Sequence, residues 1–362
     1  MISHIKRYLI LATMLLSLLA CQSMSNTVVG MGEKDWLRRT LIADLVFAEA
    51  DQKVYRSDGM YYYFSKGQLL KVDHRLDTVS MASKTVTESR LIDEQISNND
   101  RIQLNPNQIK NKAANRDAVA IIIGVQGYKR LATADFADQD ATKFAEYAHR
   151  ALGIQKEKIR LLTESDADQA ALLKTFRNWL PLNVNKGKTE VFVFYSGHGL
   201  PSVDGKSLYF LPHGVDQDLL DETAIDQKKI ITAIQSTQPK SVTMFIDSCY
   251  SGQSRNGSQL LAGAKPVTLK NTDIGYPPEF TIFTASAADQ ISSASNDLQH
   301  GIFSFYLMKG MEGAADINKD GNITFGEMQQ YLSENVQRQA LAANRVQVPQ
   351  LIGDANRVLV GK

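Results

Sequence analysis

From residue 118 onward, short apolar runs alternate with segments of helical period. Residues 119–125 are apolar except for Gly124 and are followed closely by Gly127, which predicts a strand buried on both faces. A helix over about 137–152, a strand at 159–162, a helix over about 169–180 and a strand at 190–195 follow. A helix near 228–235, strands at 241–247 and 280–285, and a helix over 303–311 extend the series. Strands alternating with helices predict an α/β fold, a mainly parallel sheet flanked by helices on both faces. Upstream the pattern differs. Trp36, Leu37, Leu41, Ile42, Leu45, Val46 and Ala48 recur at helical spacing and predict a helix over about 33–50. Residues 61–64 and 69–72, joined by Ser65-Lys66-Gly67, predict a β-hairpin. The expected organisation is a small α+β appendage at 21–80, a polar linker at 81–117 and one large domain at 118–362.

Charge narrows the function classes. The formal net charge is +1, and no Lys/Arg-rich block tracks a phosphate backbone, so a nucleic-acid partner is not expected. The N-terminus predicts export: Lys6 and Arg7 precede an apolar run at 8–20 that is too short to span a bilayer. The run ends in Leu18-Leu19-Ala20-Cys21, which resembles the bacterial lipobox. That resemblance implies removal of residues 1–20 and lipidation of Cys21, with two or more acyl chains giving stable membrane anchoring. Gln22, in place of Asp, implies the outer membrane, with the domain facing the periplasm. An ordinary cleaved signal with Cys21 incidental is the alternative. Lipidation leaves Cys249 as the one remaining cysteine of two, so a disulfide framework and a multi-cysteine zinc site are excluded.

Two segments lie just past predicted strand ends, where open α/β sheets place their sites. They are Phe194-Tyr195-Ser196-Gly197-His198-Gly199 and Phe245-Ile246-Asp247-Ser248-Cys249-Tyr250-Ser251-Gly252. Thiol-based acyl transfer needs an accessible cysteine, a histidine to move the proton and donors for the oxyanion. Cys249 and His198 supply the first two, and the backbone amides of Gly199 and Cys249 are candidates for the third. A lone His or a lone Cys is usually structural; the pairing of both at strand ends beside glycines favours chemistry.

These two blocks resemble the signature of caspase-like cysteine peptidases, in the metacaspase and bacterial caspase-family branch. Phe283-Thr284-Ala285-Ser286 and His300-Gly301-Ile302-Phe303 extend the resemblance over about 118–353. The His-to-Cys separation, 249 − 198 = 51, is close to the ~50 residues of caspases. The resemblance implies a caspase/haemoglobinase fold and a Cys/His dyad without an essential carboxylate. Tyr250 departs from the His that metacaspases often carry there.

Asp247 lies two residues before Cys249, on the same side of the chain if strand alternation persists. A carboxylate there favours Lys or Arg in the residue before the scissile bond (P1). The stretch Phe136-Ala137-Asp138-Gln139-Asp140-Ala141 resembles the metacaspase segment whose aspartate lines the P1 pocket (S1), which implies Asp140 as a second acid and Ser196 as a third polar wall. Asp140 could instead complement free amides at a helix N-terminus. The polar loop at 253–278 carries Arg255, Lys265 and Lys270, which are candidates for self-cleavage. Separately, residues 316–327 fit an EF-hand calcium loop, with Asp316, Asn318, Asp320, Asn322 and Glu327 as ligands and Gly321 at the turn. Two other classes remain open: a caspase-fold binding or signalling module, and an envelope scaffold lipoprotein.

Overall fold

The computed structural model describes residues 44–49, 52–57, 60–65, 68–73, 103–109, 114–202, 207–249, 255, 275–286, 290–343 and 345–361. The export segment, Cys21, Tyr250, Lys265 and Lys270 lie outside the described residues. The chain divides into two compact units, Met1–Ser83 and Lys84–Lys362.

The first unit holds strands β1 (Asp44–Glu49), β2 (Gln52–Ser57), β3 (Met60–Ser65) and β4 (Gln68–Asp73), each antiparallel to the next. The expected hairpin is β3–β4. The helix expected over 33–50 is corrected where the chain is described, because residues 44–49 form β1. Spacing over so short an apolar run fits either state, and an isolated helix shorter than ~12 residues is marginal in water. Pairing with β2 decides the matter.

In the second unit the order is β5 (Ala118–Gly124), α1 (Ala137–Arg150), β6 (Ile159–Thr163), α2 (Gln169–Lys174), β7 (Glu190–Ser196), β8 (Gly199–Pro201), β9 (Leu208–Phe210), β10 (Ile225–Asp226) and α3 (Gln227–Ser236). Then follow β11 (Ser241–Asp247), β12 (Phe280–Thr284), β13 (Ala294–Ser295), β14 (His300–Gly301), α4 (Ile302–Lys309), β15 (Ile323–Thr324), α5 (Phe325–Ala342), β16 (Gln350–Ile352) and β17 (Val358–Val360). The central sheet runs β16-β12-β11-β7-β5-β6, parallel throughout except for the antiparallel edge strand β16.

Alternation along the buried strands builds two cores. Val119, Ile121 and Ile123 of β5, with Val191, Val193 and Tyr195 of β7, face Leu172, Phe176, Ile230 and Ile234 on one side. Ala118, Ala120, Ile122, Phe192, Phe194 and Phe245 face Phe144 and Tyr147 of α1 and the apolar residues of α4 and α5 on the other. The second core stacks Phe144 on Phe194 at 4.3 Å and Phe245 on Phe283 at 5.5 Å. The inner strands β5, β7 and β11 are covered on both faces, so they read as nearly continuous apolar runs, whereas edge strand β6 exposes Arg160 and Leu161.

Part of the stretch expected as a polar linker packs within the second unit. Residues 103–109 pack on this unit, with Ile109 in the core. Glu312 accepts from the Asn105 amide and the Tyr147 hydroxyl, both at 2.5 Å, and pairs with Lys309 at 2.7 Å. The buried apolar groups of Pro106 and Ile109 outweigh the polar average of the surrounding window.

Candidate active site

Strands β7 and β11 are parallel neighbours in a register that sets Ser196 opposite Asp247. One connecting residue, Gly197 or Ser248, leads from each to His198 or Cys249. Each of the two therefore lies two residues beyond the same rung. Both are buried, at 2% and 3% exposure. His198 Nε2 lies 2.7 Å from the Ala132 carbonyl, an acceptor only, so this nitrogen is assigned the proton and Nδ1 keeps the lone pair. Tyr128 accepts from the His198 amide at 3.0 Å, and its ring lies 4.7 Å from the imidazole. The Tyr195 hydroxyl donates to the His198 carbonyl at 2.6 Å. Cys249 Sγ accepts from the Ser292 amide and lies 3.5 Å from the Ser292 carbonyl.

Burial pushes the Cys249 thiol up to about 12, against the pull of the Ser292 amide and Arg255. Burial pulls His198 down to about 4, against the Ala132 hydrogen bond. Thiol and imidazole are thus both neutral in the resting chain at pH 7. A histidine with a folded value of about 4 and an unfolded value near 6.5 binds fewer protons folded than unfolded between those limits. Its contribution to stability is complete above pH 6.5 and is lost as the pH falls towards 4. Urea unfolding across this window is expected to show a loss of about 3 kcal/mol that His198→Gln largely removes. An unchanged pH slope in the variant would assign the loss to other groups.

The loop that presents the Ala132 carbonyl is held from below. Glu164, just past β6, accepts from the Gln126 amide at 2.7 Å and the Gly127 amide at 3.0 Å. The Gln126 side chain accepts from the Phe136 amide at 2.6 Å. The only sequence signal for Glu164 is its place at the C-terminal edge of the sheet, shared with many polar residues.

The structure brings Asp140, Ser196 and Asp247 together. The register places Ser196 and Asp247 on the sheet face that α1 covers, and Asp140 points down from the first turn of α1. All three are fully buried, and between them lies the guanidinium of Arg255. Arg255 Nη1 is 3.4 Å from Asp140 and donates to the Asp135 carbonyl at 2.7 Å. Nη2 donates to Ser196 Oγ at 2.8 Å and is 3.3 Å from Asp247 Oδ1. Burial pushes Asp140 up, with hydrogen bonding from His300 acting against it. Burial pulls Arg255 down, but Asp247 and Asp140 outweigh it and hold the guanidinium above its ordinary value.

The carboxylates have further partners that the sequence did not disclose. His300 Nδ1 lies 2.7 Å from Asp140 Oδ1, and the Gly301 amide donates to Asp140 Oδ2 at 3.1 Å. Ser304 donates to Asp247 Oδ2 at 2.6 Å, and Ser292 donates to Oδ1. Asp140 therefore serves this cluster instead of capping its own helix. A Cβ at position 301 would stand 2.4 Å from Asp247 Oδ2 and 2.8 Å from Arg255 Nη1, so only glycine fits. His300 and Gly301 were visible as part of a motif, but nothing in the sequence paired them with Asp140, 160 residues away.

Gly199 opens β8 directly after His198, opposite Phe210 of β9. The predicted calcium loop lies apart from this pocket in the chain, between α4 and α5. The Gly321 amide donates to Asp316 at 2.9 Å and the Asp320 amide to Asn318 at 2.8 Å. The Asn322 amide donates to Asp320 at 2.7 Å. Gly321 has φ +85°, the left-handed turn expected there. Glu327 forms a capping box with Thr324 and also accepts from the Asn318 amide at 3.3 Å. Among the described residues no three His, Cys, Asp or Glu side chains converge as a metal cluster.

The family model for the caspase domain matches residues 117–359. The chain belongs to the caspase family. The match contains the central sheet, His198 and Cys249, and leaves the four-stranded unit outside. Among solved structures, that of the Drosophila initiator caspase Dronc is similar over 69% of this chain and 85% of its own, at 11% identity and a TM-score of 0.41. No curated protein matches the chain. Family membership makes this caspase domain a cysteine peptidase in general class and accounts for its α/β fold.

Proposed function

We propose that the chain is an endopeptidase in which Cys249 is the nucleophile, His198 moves the proton, and cleavage follows Lys or Arg. The observation that carries the dyad is the shared rung: His198 and Cys249 each stand two residues past the Ser196–Asp247 pair of adjacent parallel strands. Sγ attacks the scissile carbonyl carbon and its proton passes to His198 Nδ1. The same proton then goes to the leaving amine as the C–N bond breaks. Water hydrolyses the resulting thioester and regenerates the thiol. The amides of Gly199 and Cys249 are the donors for the oxyanion. Because both groups rest neutral, the thiolate forms only as the proton moves. Support for a basic P1 residue comes from Asp140, Asp247 and Ser196, which already surround a guanidinium. The test is hydrolysis of fluorogenic peptides ending in Arg, Lys or Asp. Cleavage confined to Asp would refute the P1 assignment and leave the dyad standing.

Glu164 acts as a positioning residue by fixing the loop that carries the Ala132 carbonyl. Glu164→Gln replaces one accepting oxygen with a donor facing an amide, and is expected to lower kcat about tenfold, equivalent to ~1.4 kcal/mol, with KM within twofold. Equal losses in kcat and in the folded fraction would reduce Glu164 to a stability role.

Calcium binding is proposed for the loop at 316–327. The donor set fits: Asp316, Asn318, Asp320, Asn322 and Glu327 offer only oxygens, the chemistry a hard cation takes, and the loop amides already organise three of them. Calcium bound there would tie α4 to α5. Millimolar calcium is expected to raise Tm by several degrees in the unmodified chain and not in Asp316→Ala, since a ligand at ~100 times its Kd adds ~2.7 kcal/mol. Identical melting curves with and without calcium would dismiss the site. Anchoring through lipidated Cys21 to an outer membrane is proposed on the N-terminal sequence, and Cys21→Ser should release the chain from the membrane fraction. Self-cleavage is proposed after Lys265 or Lys270. Cleavage after Arg255 would first have to free its carbonyl, which accepts from Arg345. Fragments at these positions should be absent from Cys249→Ala.

A further inference from the structure

Arg255 stands six residues beyond Cys249 in sequence, yet its side chain lies inside the carboxylate pocket at 3% exposure. Its two terminal nitrogens reach Asp140, Asp247 and Ser196, the three groups expected to recognise a P1 cation, and also the Asp135 carbonyl. The fit is incomplete in one respect. Arg255 Nε is buried and has no hydrogen-bond partner among the described residues. An arginine built purely as a structural tie between two buried acids would be expected to have its donors satisfied, because an unmet buried donor is costly. A pocket shaped for the forked end of a side chain that enters and leaves needs to meet only that end. The backbone is held separately: the Arg255 carbonyl accepts from Arg345 Nη1, which also lies 3.4 Å from Ser293 Oγ.

We propose that Arg255 is an internal ligand of the specificity pocket, occupying the place of a substrate's P1 guanidinium and keeping the resting chain closed. The proposal rests on the Lys/Arg reading of the same pocket. It adds that substrate and Arg255 compete one for one for Asp140 and Asp247, and that Arg345 is the second hold on the occupant. It also explains why acids so deeply buried stay compatible with folding: their counter-ion is supplied from within the chain until a substrate replaces it. The pocket's ligand class is a planar guanidinium or amidinium, which matches two carboxylates with parallel N–H donors.

The test is a fluorescence titration of the full chain with p-aminobenzamidine, run beside the KM for a fluorogenic peptide with Arg at P1. Arg255→Ala is expected to bind the amidine at least tenfold more tightly than the unmodified chain and to show a KM lowered by a similar factor. Arg345→Ala, which leaves the guanidinium in place but frees its carbonyl, should move both quantities severalfold in the same direction. This second variant decides the matter if Arg255→Ala does not fold. Equal amidine affinity and equal KM in the unmodified chain and the variants would overturn the internal ligand while leaving Lys/Arg specificity intact. A folded Arg255→Ala that binds no amidine and cleaves only after Asp would overturn the specificity reading and the proposal together.

Discussion

Replacing Cys249 with alanine is expected to remove peptide cleavage, with kcat/KM falling by at least ~10³-fold, while the fold persists. The residual rate after loss of a nucleophile comes from binding and oxyanion donors alone, which cannot form the thioester. The effect on stability is small by comparison. Sγ is buried against one amide and one carbonyl of Ser292, so its removal costs the order of one hydrogen bond, ~1 kcal/mol, plus a small void. Fluorogenic assay and thermal melting on the same preparation separate the two quantities. Cleavage by Cys249→Ala at the unmodified rate would sink Cys249 as the nucleophile, whereas no cleavage by either chain would favour a binding or scaffold role. The thiol's neutrality gives an independent reading. With Cys249 pushed up to about 12, its rate of alkylation by iodoacetamide should keep rising with pH through 8 and 9, with no plateau near 7.

How far the sequence reveals this site depends on the range of the interaction concerned. Strands β5, β7 and β11 are legible because burial on both faces leaves mostly apolar residues, and the extent of β11 read from the pattern, 241–247, coincides with the strand. His198 and Cys249 are legible because strand ends followed by glycine or serine are local features. Asp140, Ser196 and Asp247 could be grouped through resemblance, but their shared cation could not. Arg255 reads in sequence as an exposed loop residue open to cleavage, and only the folded chain brings it against Asp140, 115 residues away. The small sheet β10-β9-β8 is invisible for another reason, since strands of two or three residues carry no measurable period. At residues 44–49 local spacing suggested helix, and strand pairing overrode it.

Removing the Asp247 carboxylate alone should be among the most destabilising single changes in the caspase domain, by about 3–5 kcal/mol for Asp247→Ala. Asp247 is fully buried and accepts from Ser304 and Ser292 besides its contact with Arg255. Its loss leaves a desolvated guanidinium facing Asp140 at 3.4 Å as its remaining carboxylate partner, together with two buried hydroxyls short of an acceptor. Most of the expected cost is the stranded charge, not the missing attraction, because a buried ion pair gains little net energy over its own desolvation. That distinction has a measurable consequence. Adding Arg255→Ala to Asp247→Ala removes the stranded charge, so the double variant should be more stable than the sum of the two single losses by 1 kcal/mol or more, a coupling of ~1–3 kcal/mol for residues in contact. Urea midpoints for the four chains of this cycle provide the comparison. Additive losses would mean that Arg255 and Asp247 do not share a closed pocket in solution, and the guanidinium would then have to be sought in solvent, with the pocket already open to substrate.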